Sequence, residues 1–145
     1  MKKMFGLILL AFNILVTNCA SVNNEKKEEM ILRITFANGF YNDSLSLYMN
    51  SCEIINNYVL SSDNTSDEIT DLQISFFVKD GYYVAKIFQG EDILCKKSDS
   101  IELEIILNGH SNKSIVSLNK GAFISIDKEN NQLKINQTPT ALLYD

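Results

Sequence analysis

The sequence contains no tryptophan, one proline at Pro139, one histidine at His110 and six glycines in 145 residues. The missing tryptophan and scarce proline exclude little by themselves. The single histidine excludes more, because no second imidazole is available to complete a metal set. A cysteine nucleophile would have only His110 as its base, and His110 falls in the turn-like stretch Asn108-Gly109-His110-Ser111-Asn112. Basic clusters are also missing. Thirteen Lys and Arg stand against 18 Asp and Glu, and nucleic-acid binding needs grouped cations that release counterions from phosphate. No nucleic-acid partner is expected. The chain has no Gly-rich phosphate loop, no GxSxG elbow and no HExxH. Beyond the first 18 residues it has no stretch of ten or more with helical periodicity.

What is present begins with an address. Lys2 and Lys3 precede an apolar run over 4–16, and Thr17 and Asn18 break it, which is the layout of a secretory signal. The run is 13 residues long and carries Asn13, whereas a membrane-spanning helix needs roughly 20 apolar residues. Val16-Thr17-Asn18-Cys19 resembles the bacterial lipobox, with a branched apolar residue three positions before a cysteine. That resemblance covers only the first 19 residues. It implies cleavage before Cys19, a lipid on its sulfur, and a membrane-anchored lipoprotein of the cell envelope. An ordinary signal cut after Ala20 is the alternative. It is handicapped by Asn18, which stands where a small residue is preferred.

The organisation expected is a signal over 1–18, a lipid-anchored tether over 19–29, and one domain over 30–145. Without Lys2 and Lys3 the mature part holds 11 basic residues against 18 acidic ones. The tether has only Ala20 and Val22 as apolar residues and cannot bury itself.

Within the domain the period is two. Leu32, Ile34 and Phe36 share a face. So do Leu45, Leu47 and Met49; Ile74, Phe76 and Val78; and Ile101, Leu103, Ile105 and Leu107. Such alternation marks strands with one buried face. Asp80-Gly81 suits the positive φ angles of a two-residue type I′ turn. It sets Lys79 opposite Tyr82, Val78 opposite Tyr83, Phe77 opposite Val84 and Phe76 opposite Ala85. Further strands are expected at 52–60, 93–96, 114–118, 122–127, 132–136 and 141–144. Eight to ten short strands at this spacing predict an all-β fold. A small antiparallel β-sandwich is preferred over a small barrel.

Few residues carry chemistry. Cys52 and Cys95 remain once Cys19 is the anchor. They either pair in an oxidising compartment or stand as two free strand thiols. With His110 they would make only a three-ligand set lacking zinc-site spacing, so no metal or cofactor is expected. The acidic loop over 62–71 spaces oxygens from Asp63 but has Glu68 where a calcium loop needs glycine. Glu102 and Glu104 lie on one strand face roughly 7 Å apart, a separation that suits glycoside hydrolysis but equally an ordinary wet face. A hydrolase would need a concave site gathering two or more of Glu102, Glu104, Glu91, Asp92 and His110. Asp43-Ser44-Leu45 and Asp99-Ser100-Ile101 resemble a short O-glycosylation acceptor pattern of one bacterial lineage. Phe77, Tyr82 and Val84 form the outward side of the Asp80-Gly81 hairpin and are the expected binding face. The function expected is a non-catalytic binding or accessory protein. Its partners are the membrane, through lipid, and a protein or glycan. An assembly component that pairs through strand edges is the alternative.

Overall fold

The structure is a computed structural model, and it describes residues 28–62, 72–87 and 90–141. Cys19, residues 63–71 of the acidic loop over 62–71, and residues 142–144 of the strand expected at 141–144 lie outside them. The described residues form ten strands: β1 (Glu29–Phe36), β2 (Asp43–Met49), β3 (Cys52–Leu60), β4 (Gln73–Lys79), β5 (Tyr82–Ile87), β6 (Ile93–Lys96), β7 (Ile101–Leu107), β8 (His110–Val116), β9 (Phe123–Glu129) and β10 (Gln132–Thr138). They make two sheets, one in the order β10-β9-β1-β4-β5-β6 and one in the order β3-β2-β7-β8. The sheets stay separate and do not close into a barrel. The fold is a small β-sandwich.

Local turn chemistry makes the hairpins. Asp80 and Gly81 have φ of 48° and 82°, Asn108 and Gly109 have 50° and 82°, Asn130 and Asn131 have 50° and 62°, and Asn50 and Ser51 have 49° and 64°. Two consecutive positive φ values match the twist of flanking strands, and Asn, Asp and Gly reach them at little cost. The β4–β5 register is the one the turn dictates, with Lys79 paired to Tyr82, Val78 to Tyr83, Phe77 to Val84 and Phe76 to Ala85.

The alternating apolar residues meet between the sheets. Leu32, Ile34, Phe36, Leu45, Leu47, Met49, Ile74 and Phe76 are all fully buried. Each such side chain contributes about 1.5–3 kcal/mol. Phe36 and Phe40 pack edge to face with ring centroids 5.9 Å apart, the geometry that aromatic quadrupoles favour.

Three expectations are corrected here. The sandwich is not wholly antiparallel, because β1 and β9 run parallel, with Arg33 beside Phe123 and Phe36 beside Ile126. The chain returns from β8 through a 3₁₀ turn at Leu118–Lys120, so β9 enters the first sheet in the direction of β1. Glu28 and Glu29 belong to the fold rather than to the tether. Glu29 pairs with Val78, and Glu28 forms ion pairs with Lys79 and Lys86. A polar Glu-Glu pair carries no burial signal, which is why composition placed it outside. Finally, β8 starts at His110 rather than Ser114. Exposed polar residues line its first half, and pairing to β7 defines it instead of hydrophobic alternation.

The sheets are tied at both ends. At one end Cys52 on β3 is disulfide-bonded to Cys95 on β6, with the Cα atoms 5.8 Å apart. Tyr83 donates its hydroxyl to the Ser98 carbonyl at 2.9 Å, and Asn50 donates to Ser98 Oγ at 2.8 Å. At the other end Lys128 on β9 reaches Asp43 on β2, with Nζ 2.7 and 2.8 Å from the two carboxylate oxygens. Gly39 packs there so closely that an added Cβ would lie 1.9 Å from the Lys128 carbonyl oxygen, at a φ of +85°.

Candidate functional site

The outer face of the β4–β5–β6 segment brings the expected contact residues into one stripe. Phe77 and Val84 are cross-strand partners, Tyr82 pairs with Lys79 on one side and Lys96 on the other, and Leu94 pairs with Val84. Strand alternation therefore sends Phe77, Tyr82, Val84, Leu94 and Lys96 to the same side. They are not equally accessible. Tyr82 is 48% exposed and Leu94 is 63% exposed, but Val84 is only 2% exposed. Val84 is thus corrected from contact residue to buried residue, because Phe77 and Leu94 flank it on the neighbouring strands and cover a short β-branched side chain. Leu94 is the residue that sequence reasoning missed. It lies on a four-residue strand, too short to show alternation, and only its pairing to Val84 reveals its side.

Charges surround this stripe. Lys86 Nζ sits 5.0 Å from the centre of the half-buried Phe77 ring, within cation–π range. The same ammonium meets Glu28 at 2.6 Å and Asp92 at 3.8 Å, while Lys79 meets Glu28 at 3.4 Å. The Lys86 hydrogen bond, above all, pulls the Glu28 carboxyl below its usual range, and the Glu28 carboxylate in turn pushes Lys86 up. Lys96 and Lys97 are exposed and form no ion pair among the described residues.

The other candidates are dispersed. Glu102 and Glu104 lie on the outer side of the second sheet, where Lys113 stands 3.6 and 3.5 Å from their carboxylates. Ser111 donates to Glu104 at 2.7 Å and holds its carboxyl below the usual range. The two carboxylates therefore share one lysine, and Glu104 also accepts from a hydroxyl. His110 opens β8, paired with Leu107 next to the Asn108-Gly109 turn, while Glu91 and Asp92 precede β6 in the first sheet. The structure does not bring these groups together. Among the described residues no three His, Cys, Asp or Glu side chains gather to hold a metal. Of the two acceptor-like serines, Ser100 is exposed in the turn before β7. Ser44 is exposed on β2 beside the buried Asp43.

Asp43 is the buried charge that sequence reasoning did not anticipate. Burial raises its pKa, but hydrogen bonds from Lys128, the Tyr41 amide and Asn108 outweigh that and leave it lowered. It joins the sheets.

Comparison of the chain with known protein families, with curated proteins and with solved structures finds no match. Among the described residues no helix is long and apolar enough to cross a membrane.

Proposed function

We propose that this chain is an exported lipoprotein whose β-sandwich acts as a non-catalytic binding or accessory module at a cell-envelope surface. The observation that carries the reading is the Cys52–Cys95 disulfide. Structural disulfides persist in oxidising compartments outside the cytoplasm, so the bridge supports export independently of the leader. The leader supplies the rest: the lipobox-like Val16-Thr17-Asn18-Cys19 gives a reason for lipid at Cys19. Several acyl chains anchor firmly, since each buried CH₂ contributes about 0.8 kcal/mol. A rigid sandwich with tied ends then presents its loops to a protein or glycan partner and offers Tyr82, with Phe77 at its margin, as a second contact surface. Metabolic labelling with a palmitate analogue tests the anchor. Label is expected in the wild type and not in Cys19→Ser, and equal label in both would overturn it.

One observation favours a second reading, assembly through a strand edge. The β8 and β10 edges each pair with their neighbour over all seven residues without a bulge, whereas the β3 edge is interrupted twice and β6 has four residues. Regular edges invite strand addition. Size-exclusion chromatography of the non-acylated Cys19→Ser chain separates the readings. A monomer excludes self-assembly through these edges.

A further inference from the structure

We infer that the corner of the sandwich formed by Tyr82, Leu94, Lys96 and Lys97 rests on the anionic lipid surface to which Cys19 tethers the chain. The inference rests on the anchor proposed above and names what that contact surface touches.

Chain geometry comes first. Glu28 lies nine positions after Cys19 (28 − 19), so even a fully extended segment spans at most about 30 Å. Glu28 is fixed on the outer face of the first sheet by Lys79 and Lys86, and Glu29 pairs with Val78 beside the Asp80-Gly81 turn. The chain therefore enters the domain at the disulfide end, next to this corner, and the lipid cannot be far from it.

The chemistry of the corner fits such a surface. Tyr82 and Leu94 are 48% and 63% exposed. Lys96 is the cross-strand partner of Tyr82, and the Lys97 amide donates to the Gly81 carbonyl at 3.2 Å. Both lysines are exposed and form no ion pair among the described residues. Of the acids around this corner, Glu28 and Asp92 already face Lys86, while Asp80 and Asp99 stand exposed in the adjoining turns. An amphipathic tyrosine and an aliphatic side chain beside exposed ammonium groups match the headgroup layer, where aromatics settle and lysines are drawn to anionic lipid. In a chain of net charge −5, these two lysines sit beside the point where Glu28 and Glu29 begin the described fold. The opposite end, with Tyr41 72% exposed, then points away from the membrane and is left for a protein or glycan.

The absence of tryptophan makes the test clean. Tyr82→Trp, Leu94→Trp and Tyr41→Trp are each made in the full-length acylated chain and placed on vesicles of phosphatidylglycerol and phosphatidylethanolamine with brominated acyl chains. Quenching is expected to be several times stronger at 82 and 94 than at 41, and to fall when Lys96→Glu and Lys97→Glu are added. Equal quenching at 82 and 41, or none at 82 in a chain that floats with the vesicles, overturns the docking and leaves the anchor standing. A chain that carries no acyl group and does not float removes both. Quenching at 82 that appears only after an envelope protein is added would assign the corner to that protein instead.

Discussion

At one end of the sandwich a disulfide joins β3 to β6, and at the other a buried ion pair joins β2 to β9. Both ties span the two sheets, but they fail for different reasons. The disulfide acts mainly on the unfolded chain, which it closes into a loop, and it is indifferent to acid. The ion pair acts in the folded state alone and depends on two charges that water no longer solvates: the Asp43 and Lys128 side chains are 4% and 13% exposed.

The largest expected effect comes from breaking the ion pair on one side only. Lys128→Met leaves the Asp43 carboxylate buried without its cation, and such a change costs about 3–5 kcal/mol. Urea unfolding should show it, and adding Asp43→Asn should recover part of the loss, because a neutral amide still accepts from the Tyr41 amide. No recovery would mean that the two residues do not act as a pair.

Removing the disulfide is expected to cost somewhat less. Loop closure over a separation of 43 residues is worth at most about 4 kcal/mol. Thermal melts of the Cys52→Ala/Cys95→Ala chain, and of the wild type with and without reductant, should fall together. A loss confined to the double variant would point to packing instead, since Cys95 is buried.

Acid separates the two ends more gently. The folded-state pKa of Asp43 lies below the ordinary 3.8, so its contribution is complete above that value and is lost as pH falls through the folded pKa. The wild type should lose stability there more steeply than Asp43→Asn, as read by denaturant midpoints below about pH 4. The smallest effect is expected at the exposed triad. Lys113→Met should cost under about 1 kcal/mol, although Lys113 touches two carboxylates. Comparable losses for Lys113→Met and Lys128→Met would deny that burial sets the difference.

A detail shared by both ends shows how local chemistry extends a sheet. The β2–β7 ladder runs from Leu45–Leu107 to Met49–Leu103, and an asparagine follows it at each end. Asn108 donates its amide to the Ser44 carbonyl and accepts the Ser44 amide on Oδ1; Asn50 does the same with Glu102. In a positive-φ turn the backbone carbonyl swings away from the neighbouring strand, and the side-chain amide oxygen takes its place. The turn residue is visible in the sequence, but its bond to a third strand is not.

The sequence alone determined what depends on near neighbours. Asp80-Gly81 set the β4–β5 register, and the alternation of Ile101, Leu103, Ile105 and Leu107 set the buried side of β7, because turn geometry and side-chain period act within a few residues. Asn50-Ser51 escaped notice because serine is a weaker marker of positive φ than glycine. Only the tertiary structure decided that β1 lies between β4 and β9, 42 and 90 residues away by the pairing of Arg33 with Ser75 and Phe123. It alone chose a disulfide over free thiols for Cys52 and Cys95, set Asp43 against Lys128, and buried Val84 while leaving Tyr82 exposed. These outcomes depend on which strand comes to lie beside which. Many long-range pairings satisfy the same period of two, and the one that wins is the one that fills the common core and satisfies its buried charge.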